Sequence, residues 1–191
     1  MFNNKLPEFA SDFIWINGEF LHLNKAYVHV LTHSLHYAGA AWEGERAYNG
    51  KIFKLEEHTN RLLKSAEYMG LTPLKYSTQE INAATYELLE KNSLKDAYIR
   101  PLIWRGAESM AIYNSTLTVN MLIIMLPSRA EFLSNLKLNL SSWCKPSPKA
   151  FPPQAKSSTH YGMPVVSQIT ASNNGYDDSL VLDEEGYIAE C

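Results

Sequence analysis

The most regular feature of the chain is an apolar stripe of helical period over residues 55–69. Leu55, Leu62, Leu63, Ala66 and Met69 share one face, and Gly70 stands where a left-handed C′ residue ends a helix. A second helix is predicted to start after Ser77, whose spacing to Glu80 is that of a capping box. Its buried face is Ile81, Ala84, Leu88 and Leu89, and it should fade near Asn92. Elsewhere the period drops to that of strands. Asn17-Gly18 and Asn49-Gly50, each between β-prone residues, predict hairpins, because a type I′ turn needs positive φ at both central positions. Residues 26–31 alternate like a half-buried strand. Residues 97–104 read as a strand that Pro101 breaks or places at an edge, and the almost continuous apolar run 118–126 predicts a central strand.

The second half is punctuated differently. Residues 127–135 are the expected connection between two domains, 1–126 and 136–191. The latter opens with a strand over 136–140 and a proline-rich stretch (Pro146, Pro148, Pro152, Pro153) leading to Lys156. A helix over about 164–172 follows, with Pro164 in its first turn, where a missing N–H does no harm. A hairpin of 180–182 with 187–189 around Asp183-Glu184-Glu185-Gly186 closes the sequence. The fold class expected is α+β: an α/β N-terminal domain followed by part of a β-rich one. A unit of about 55 residues built from strands that want partners is marginal alone, so the sequence is expected to be the front part of a longer protein.

Composition narrows the function. The 191 residues are 46% apolar, ample for a core, and the net charge of −3 gives no argument for nucleic acid or an anionic membrane surface. No apolar run approaches the roughly 20 residues of a spanning helix, and the N-terminus lacks a signal-peptide pattern. Two cysteines, Cys144 and Cys191, make neither a disulfide framework nor a metal knuckle. A soluble cytoplasmic protein is expected.

Candidate chemistry is sparse. Glycine-rich phosphate loops and nucleophile elbows are absent. His29, His33 and His36 have no nearby acid to complete a ligand set and read as structural, so no metal is expected. Lys156 lies between prolines and the small hydroxyl residues Ser157, Ser158 and Thr159, with Tyr161 five positions on. Most lysines are solvated surface charges, but a desolvated amine loses its proton more readily and can form a Schiff base. Arg61, at the margin of the first helix's apolar face, has the fork geometry to grip a phosphate, although a solvated charge is the ordinary reading. Arg100 occupies an otherwise apolar strand, where an unpaired charge is costly; a structural salt bridge and a carboxylate-binding role both stay open.

Several short motifs occur in a telling order: Trp15-x-Asn17-Gly18, His33-Ser34-Leu35-His36-Tyr37, Trp42-Glu43-Gly44-Glu45-Arg46-Ala47-Tyr48, Glu57-His58-Thr59-Asn60-Arg61-Leu62, Tyr98-Ile99-Arg100-Pro101-Leu102, Ser141-Ser142-Trp143, Ala155-Lys156 and Gly186-Tyr187-Ile188-Ala189-Glu190. Through them the chain, from about Ile14 to Cys191, resembles the fold-type IV, pyridoxal-phosphate-dependent aminotransferases, and among them the branched-chain amino-acid aminotransferases. The resemblance implies pyridoxal 5'-phosphate as cofactor and Lys156 as the catalytic residue that holds it and shuttles the proton. Glu190 would face the pyridine nitrogen, Tyr161 the ring O3′ and Arg61 the phosphate. It also implies a substrate pocket of Tyr37, Trp42, Tyr98 and Arg100. Tyr98 would contact the α-carboxylate, Arg100 would receive the distal carboxylate of glutamate, and Tyr37 would reach across from the second subunit of a homodimer.

The implied reaction exchanges the amino group between Leu, Ile or Val and 2-oxoglutarate. Sister activities on the same fold are the alternatives: D-amino-acid or (R)-amine transamination and aminodeoxychorismate lyase chemistry. An inactive fragment is the third reading. Two departures bear on side-chain preference: Trp42 stands where the family often has phenylalanine, and residues 127–132 lack the Trp and Tyr that many members carry there. The family's remaining phosphate-binding loops come after Cys191, so this chain alone is expected to hold cofactor weakly and turn over little.

Overall fold

In a computed structural model the described residues are 11–127 and 135–191. The order begins with β1 (Phe13–Ile16), β2 (Glu19–His22), a 3-10 turn (Leu23–Lys25), α1 (His33–Tyr37), β3 (Ala40–Trp42), β4 (Glu45–Tyr48) and β5 (Lys51–Ile52). It continues with α2 (Leu55–Tyr68), α3 (Thr78–Lys91), β6 (Ala97–Arg105) and β7 (Val119–Pro127). The remaining elements are β8 (Leu138–Leu140), a 3-10 turn (Ser158–Tyr161), α4 (Gly162–Asn173), β9 (Asp178–Leu182) and β10 (Ile188–Glu190). Mixed helix and sheet is therefore the fold class, as expected.

The two Asn-Gly hairpins form as their sequences dictate: Asn17 and Gly18 take φ of 50° and 97°, Asn49 and Gly50 of 49° and 79°. Gly70 at φ +64° lets the chain leave α2, with Leu71 N donating to Ala66 O at 2.8 Å. At the start of α3 the Glu80 carboxylate accepts from Ser77 N at 2.8 Å while Glu80 N donates to Ser77 Oγ at 3.3 Å.

The larger sheet runs β2-β1-β7-β6-β4-β5, with β3 also paired to β6. The apolar stripes of α2 and α3 pack on one face of it: Leu62, Ala66, Ile81 and Leu88 close over Ile99, Ile103, Ile123 and Met125. β6 alternates in consequence from Ala97 to Ile103. Ala97, Ile99 and Ile103 point into this core, which leaves Tyr98, Arg100 and Leu102 on the opposite face, the one the functional cleft uses.

Two expectations are corrected. Residues 26–31 form no strand; Tyr27 and Val30 are each 71% exposed, and no strand among the described residues offers them backbone partners. Pro101 is neither at an edge nor at a break, for β6 is continuous and interior. Along its side opposite β7, β6 pairs first with β4 (residues 97–99) and then with β3 (residues 102–104). Pro101 falls in the gap between them, where its carbonyl accepts from Glu43 N at 3.0 Å. Its missing N–H therefore faces a place where no ladder bond is required.

The smaller sheet is ordered β10-β9-β8. β8 and β9 are parallel, with α4 in the segment between them, and β9 and β10 make the expected hairpin, closed by Asp183 N to Tyr187 O at 2.8 Å. Observed bounds differ from expectation at the ends: α4 begins two residues before Pro164, and β8 begins at Leu138. Most of the expected interdomain connection, and the aromatic-poor stretch within it, lies outside the described residues. Among the described residues no helix is long and apolar enough to cross a membrane.

Candidate active site

Lys156 is fixed where the two sheets meet. Its backbone N donates to Ser65 Oγ of α2 at 3.0 Å, its carbonyl accepts from Trp42 N at 3.1 Å, and Ser157 bridges Ala41 of β3. Ser65, Ala41 and Ser157 are fully buried, so the backbone under Lys156 is clamped while its side chain projects outward. The amine donates to Tyr161 Oη at 2.6 Å and lies 4.2 Å from the centre of the Trp42 ring. Tyr161 ends the 3-10 turn that Ser157 caps by accepting from Thr159 N at 3.2 Å. The five-residue spacing thus turns the tyrosine back onto the lysine.

A cleft of about 310 Å³ opens beside this pair, lined among others by Arg61, Lys145, Lys156, Tyr161 and Glu190. Glu190, at the end of β10, accepts from Lys145 Nζ at 2.9 Å. Both side chains are more than a third exposed, so the pair adds little stability, ~1 kcal/mol at most, and its effect is to orient the carboxylate. On the far wall Arg61 forks onto the fully buried Glu43, Nε to Oε1 at 2.5 Å and Nη2 to Oε2 at 2.7 Å, and His58 Nδ1 lies 3.0 Å from the same Oε2.

The second group of expected residues adjoins the first. The Arg100 guanidinium stacks on Trp42 at 3.9 Å and donates to Tyr98 Oη through Nε at 2.8 Å and also through Nη2. It makes no ion pair among the described residues, so the stack and one phenol oxygen are what offset its charge. Gly44 is what lets Tyr98 sit there: a Cβ on Gly44 would lie 2.9 Å from Tyr98 Oη. Arg61, Lys156, Tyr161 and Glu190 thus share one cleft, with Trp42, Tyr98 and Arg100 next to the lysine. Tyr37 is not brought to it; its hydroxyl donates to Met110 O at 2.9 Å on an exposed surface.

His33 is buried with Nε2 3.1 Å from Ile112 O, and His36 lies against Val30 O at 2.9 Å. Three residues of consequence escaped the sequence reading. Glu43 carried a signal, a carboxylate in a strand segment between Trp42 and Gly44 that burial obliges to find a cation. Lys145 carried none, since its meeting with Glu190 depends on how the smaller sheet folds. Glu45, two residues from Glu43, is buried with Oε2 unpartnered, and burial first, then repulsion from Glu43, raises its pKa from 4.5 to about 8.

Glu45 is therefore neutral when folded at pH 7 and ionised when unfolded. Its burial costs nothing in protonation below pH 4.5, and stability falls as pH rises from there through about 8. Glu45→Gln should flatten that slope and raise unfolding stability at pH 7 by about 3 kcal/mol, at 1.36 kcal/mol per pKa unit. Urea melts of both proteins at pH 5 and pH 7 measure it.

The fit of the cleft to a phosphorylated pyridine aldehyde rests on its own groups. An amine projects into it, Arg61 suits a phosphate dianion, and the Glu190 carboxylate, paired with Lys145, is present for a ring nitrogen. This fold is that of the fold-type IV branched-chain aminotransferase structures. The pattern of the amino-transferase class IV family matches residues 40–191, and the chain belongs to that family.

The chain is 53% identical over 180 residues to a probable branched-chain-amino-acid aminotransferase of Rickettsia bellii, covering 94% of this chain and 62% of that protein. Among solved structures it is similar to the branched-chain amino acid aminotransferase from Escherichia coli (33% identity, TM-score 0.85, 94% of this chain and 61% of that one). A second is a T.th. branched-chain amino acid aminotransferase complexed with N-(5'-phosphopyridoxyl)-L-glutamate (31% identity, TM-score 0.85, 94% and 60%). The chain thus spans about 62% of the length of the curated relative.

Proposed function

We propose that the protein carrying these residues transfers the amino group of branched-chain L-amino acids (Leu, Ile, Val) to 2-oxoglutarate, with pyridoxal 5'-phosphate held at Lys156. The observation that carries this reading is the Lys156 amine at 2.6 Å from Tyr161 Oη, on a clamped backbone, in a cleft with Arg61 and Glu190 at its walls. When bound, pyridoxal phosphate supplies an aldehyde for the amine and a conjugated ring that accepts an electron pair from the α-carbon.

The chain's own residues do the rest. Lys156 attaches the cofactor and, once released, carries the proton on its Nζ to and from the α-carbon. Tyr161 holds that Nζ in place and presents its hydroxyl to the ring oxygen. Glu190, oriented by Lys145, stands as the acceptor for a protonated ring nitrogen. Arg61 grips the phosphate. Tyr98 and Trp42 shape the substrate side, and Arg100 offers its unpaired edge to a distal carboxylate, which glutamate has and leucine lacks.

The relatives' names, and the glutamate adduct in one of the solved structures, favour this reading over the D-amino-acid, (R)-amine and lyase alternatives. The division into domains 1–126 and 136–191 joined by 127–135 is part of the same proposal, supported by the separate large and small sheets. So is a homodimer in which Tyr37 reaches the partner's pocket, for Tyr37 lies on a surface with Leu35, Ile112 and Tyr113 exposed. We place the reaction in the cytoplasm, where two free exposed cysteines stay reduced.

The whole protein that carries these residues, purified with added pyridoxal phosphate, should convert L-leucine and 2-oxoglutarate to the branched 2-oxo acid and glutamate, while D-alanine gives no turnover. A visible cofactor band with turnover of D-alanine alone would reject the branched-chain assignment; no bound cofactor at all would reject the transaminase.

A further inference from the structure

We infer that Glu43 is a positioning residue, a buried carboxylate that fixes the plane of Arg61 and so aims the free edge of its guanidinium at the phosphate of the cofactor. This deepens the reading above and rests on it for the identity of the ligand.

The asymmetry of the pair is the first observation. Glu43 has no exposed side-chain surface, whereas the Arg61 side chain is 54% exposed and lines the cleft. A carboxylate taken out of water needs partners on both oxygens, and Glu43 has them: Arg61 Nε on Oε1, and Arg61 Nη2 and His58 Nδ1 on Oε2. Two parallel bonds to one carboxylate set the guanidinium plane, which a single contact would leave free to rotate. Of the five N–H donors of an arginine, the fork uses two. The other three lie on the outer edge, and a phosphate is matched by such an edge rather than by a point charge.

Glu43 can act as a reference point because its backbone is fixed as well. It sits in the gap between β3 and β4, where its N–H is bound to Pro101 O of the central strand at 3.0 Å. Arg61 comes from α2, a separate element, and a long side chain on a helix surface has many rotamers without a partner. Glu43 thereby ties the phosphate end of the cleft to the strand that carries Tyr98 and Arg100. An ion pair kept for stability alone could be replaced by apolar residues at little loss; one that leaves its cation half open beside a cleft has a further use.

Pyridoxal and pyridoxal phosphate differ only in the phosphate, and both carry the aldehyde that reacts with Lys156. Their dissociation constants are to be measured by absorbance titration on the purified protein and on Glu43→Gln, which keeps the size and loses one arm of the fork. Pyridoxal phosphate should bind the variant about tenfold more weakly, the loss of one charge-assisted bond, while pyridoxal changes by less than about twofold.

Equal loss of both ligands would make Glu43 merely structural and overturn the inference, as would unchanged binding of both. If Glu43→Gln does not fold, Glu43→Asp keeps the buried charge and withdraws the carboxylate by one methylene; the same selective loss is required of it. Arg61→Ala is unsuitable because it strands the buried Glu43. An unsubstituted protein that binds pyridoxal phosphate no better than pyridoxal also refutes the inference. One that binds neither refutes the cofactor reading itself, so the two failures are told apart.

Discussion

Lys156→Ala is expected to abolish covalent retention of pyridoxal phosphate and to lower transamination by at least about 10³-fold, since both the attachment point and the proton carrier are lost. The loss should be local. The lysine backbone is held by Ser65 and Trp42, contacts that the side chain does not make, and among the described residues the amine hydrogen-bonds the Tyr161 hydroxyl and lies over the Trp42 ring. Thermal stability should therefore stay close to that of the unsubstituted protein, within about 0.5 kcal/mol. Borohydride reduction followed by mass measurement separates the outcomes: the unsubstituted protein gains a reduced cofactor on Lys156 and the variant gains none. Addition at another lysine, or a variant that retains turnover, would remove Lys156 from the role.

What could be read from sequence follows from where the physics is local. The Ser77–Glu80 capping box, the Gly70 stop and the two Asn-Gly turns depend on residues a few positions apart, and each forms as expected. Residues 26–31 show the reverse. Alternation states which residues can share a face, but a strand also needs a neighbouring edge, and nothing local announces that none is there. Pro101 misled for the same reason, because the gap it fits is made by two other strands that change over opposite it. In the site, local spacing brought Tyr161 to Lys156, whereas Arg61 and Glu190 were expected beside them only through resemblance to a family. The Glu43 fork and the Lys145 pair join elements far apart in sequence. Burial of Glu45 became visible only once its neighbours in β4 and β6 were placed.

Arg100→Leu is expected to separate the two half-reactions. A pocket serving both leucine and glutamate must offer a cation to one substrate and tolerate that cation when the other is bound. The structure shows how the charge is carried without a carboxylate: the guanidinium face rests on Trp42 and two of its donors meet the Tyr98 hydroxyl. Stacking uses the face and leaves the remaining in-plane donors free, so a distal carboxylate can be accepted without breaking the stack. An aliphatic side chain forfeits nothing there, because the arginine already has partners. With leucine in place of Arg100, the reaction with glutamate or 2-oxoglutarate should fall by about 10²-fold, the value of a charge-assisted bidentate contact, while the reaction with L-leucine changes by a few-fold at most. Single-turnover kinetics followed at the cofactor band, one substrate at a time, measure the two independently. An equal fall in both would mean that Arg100 supports the pocket through Tyr98 and Trp42 and does not read the substrate. A fall confined to leucine would reverse the assignment and make the stacked arginine part of the apolar wall.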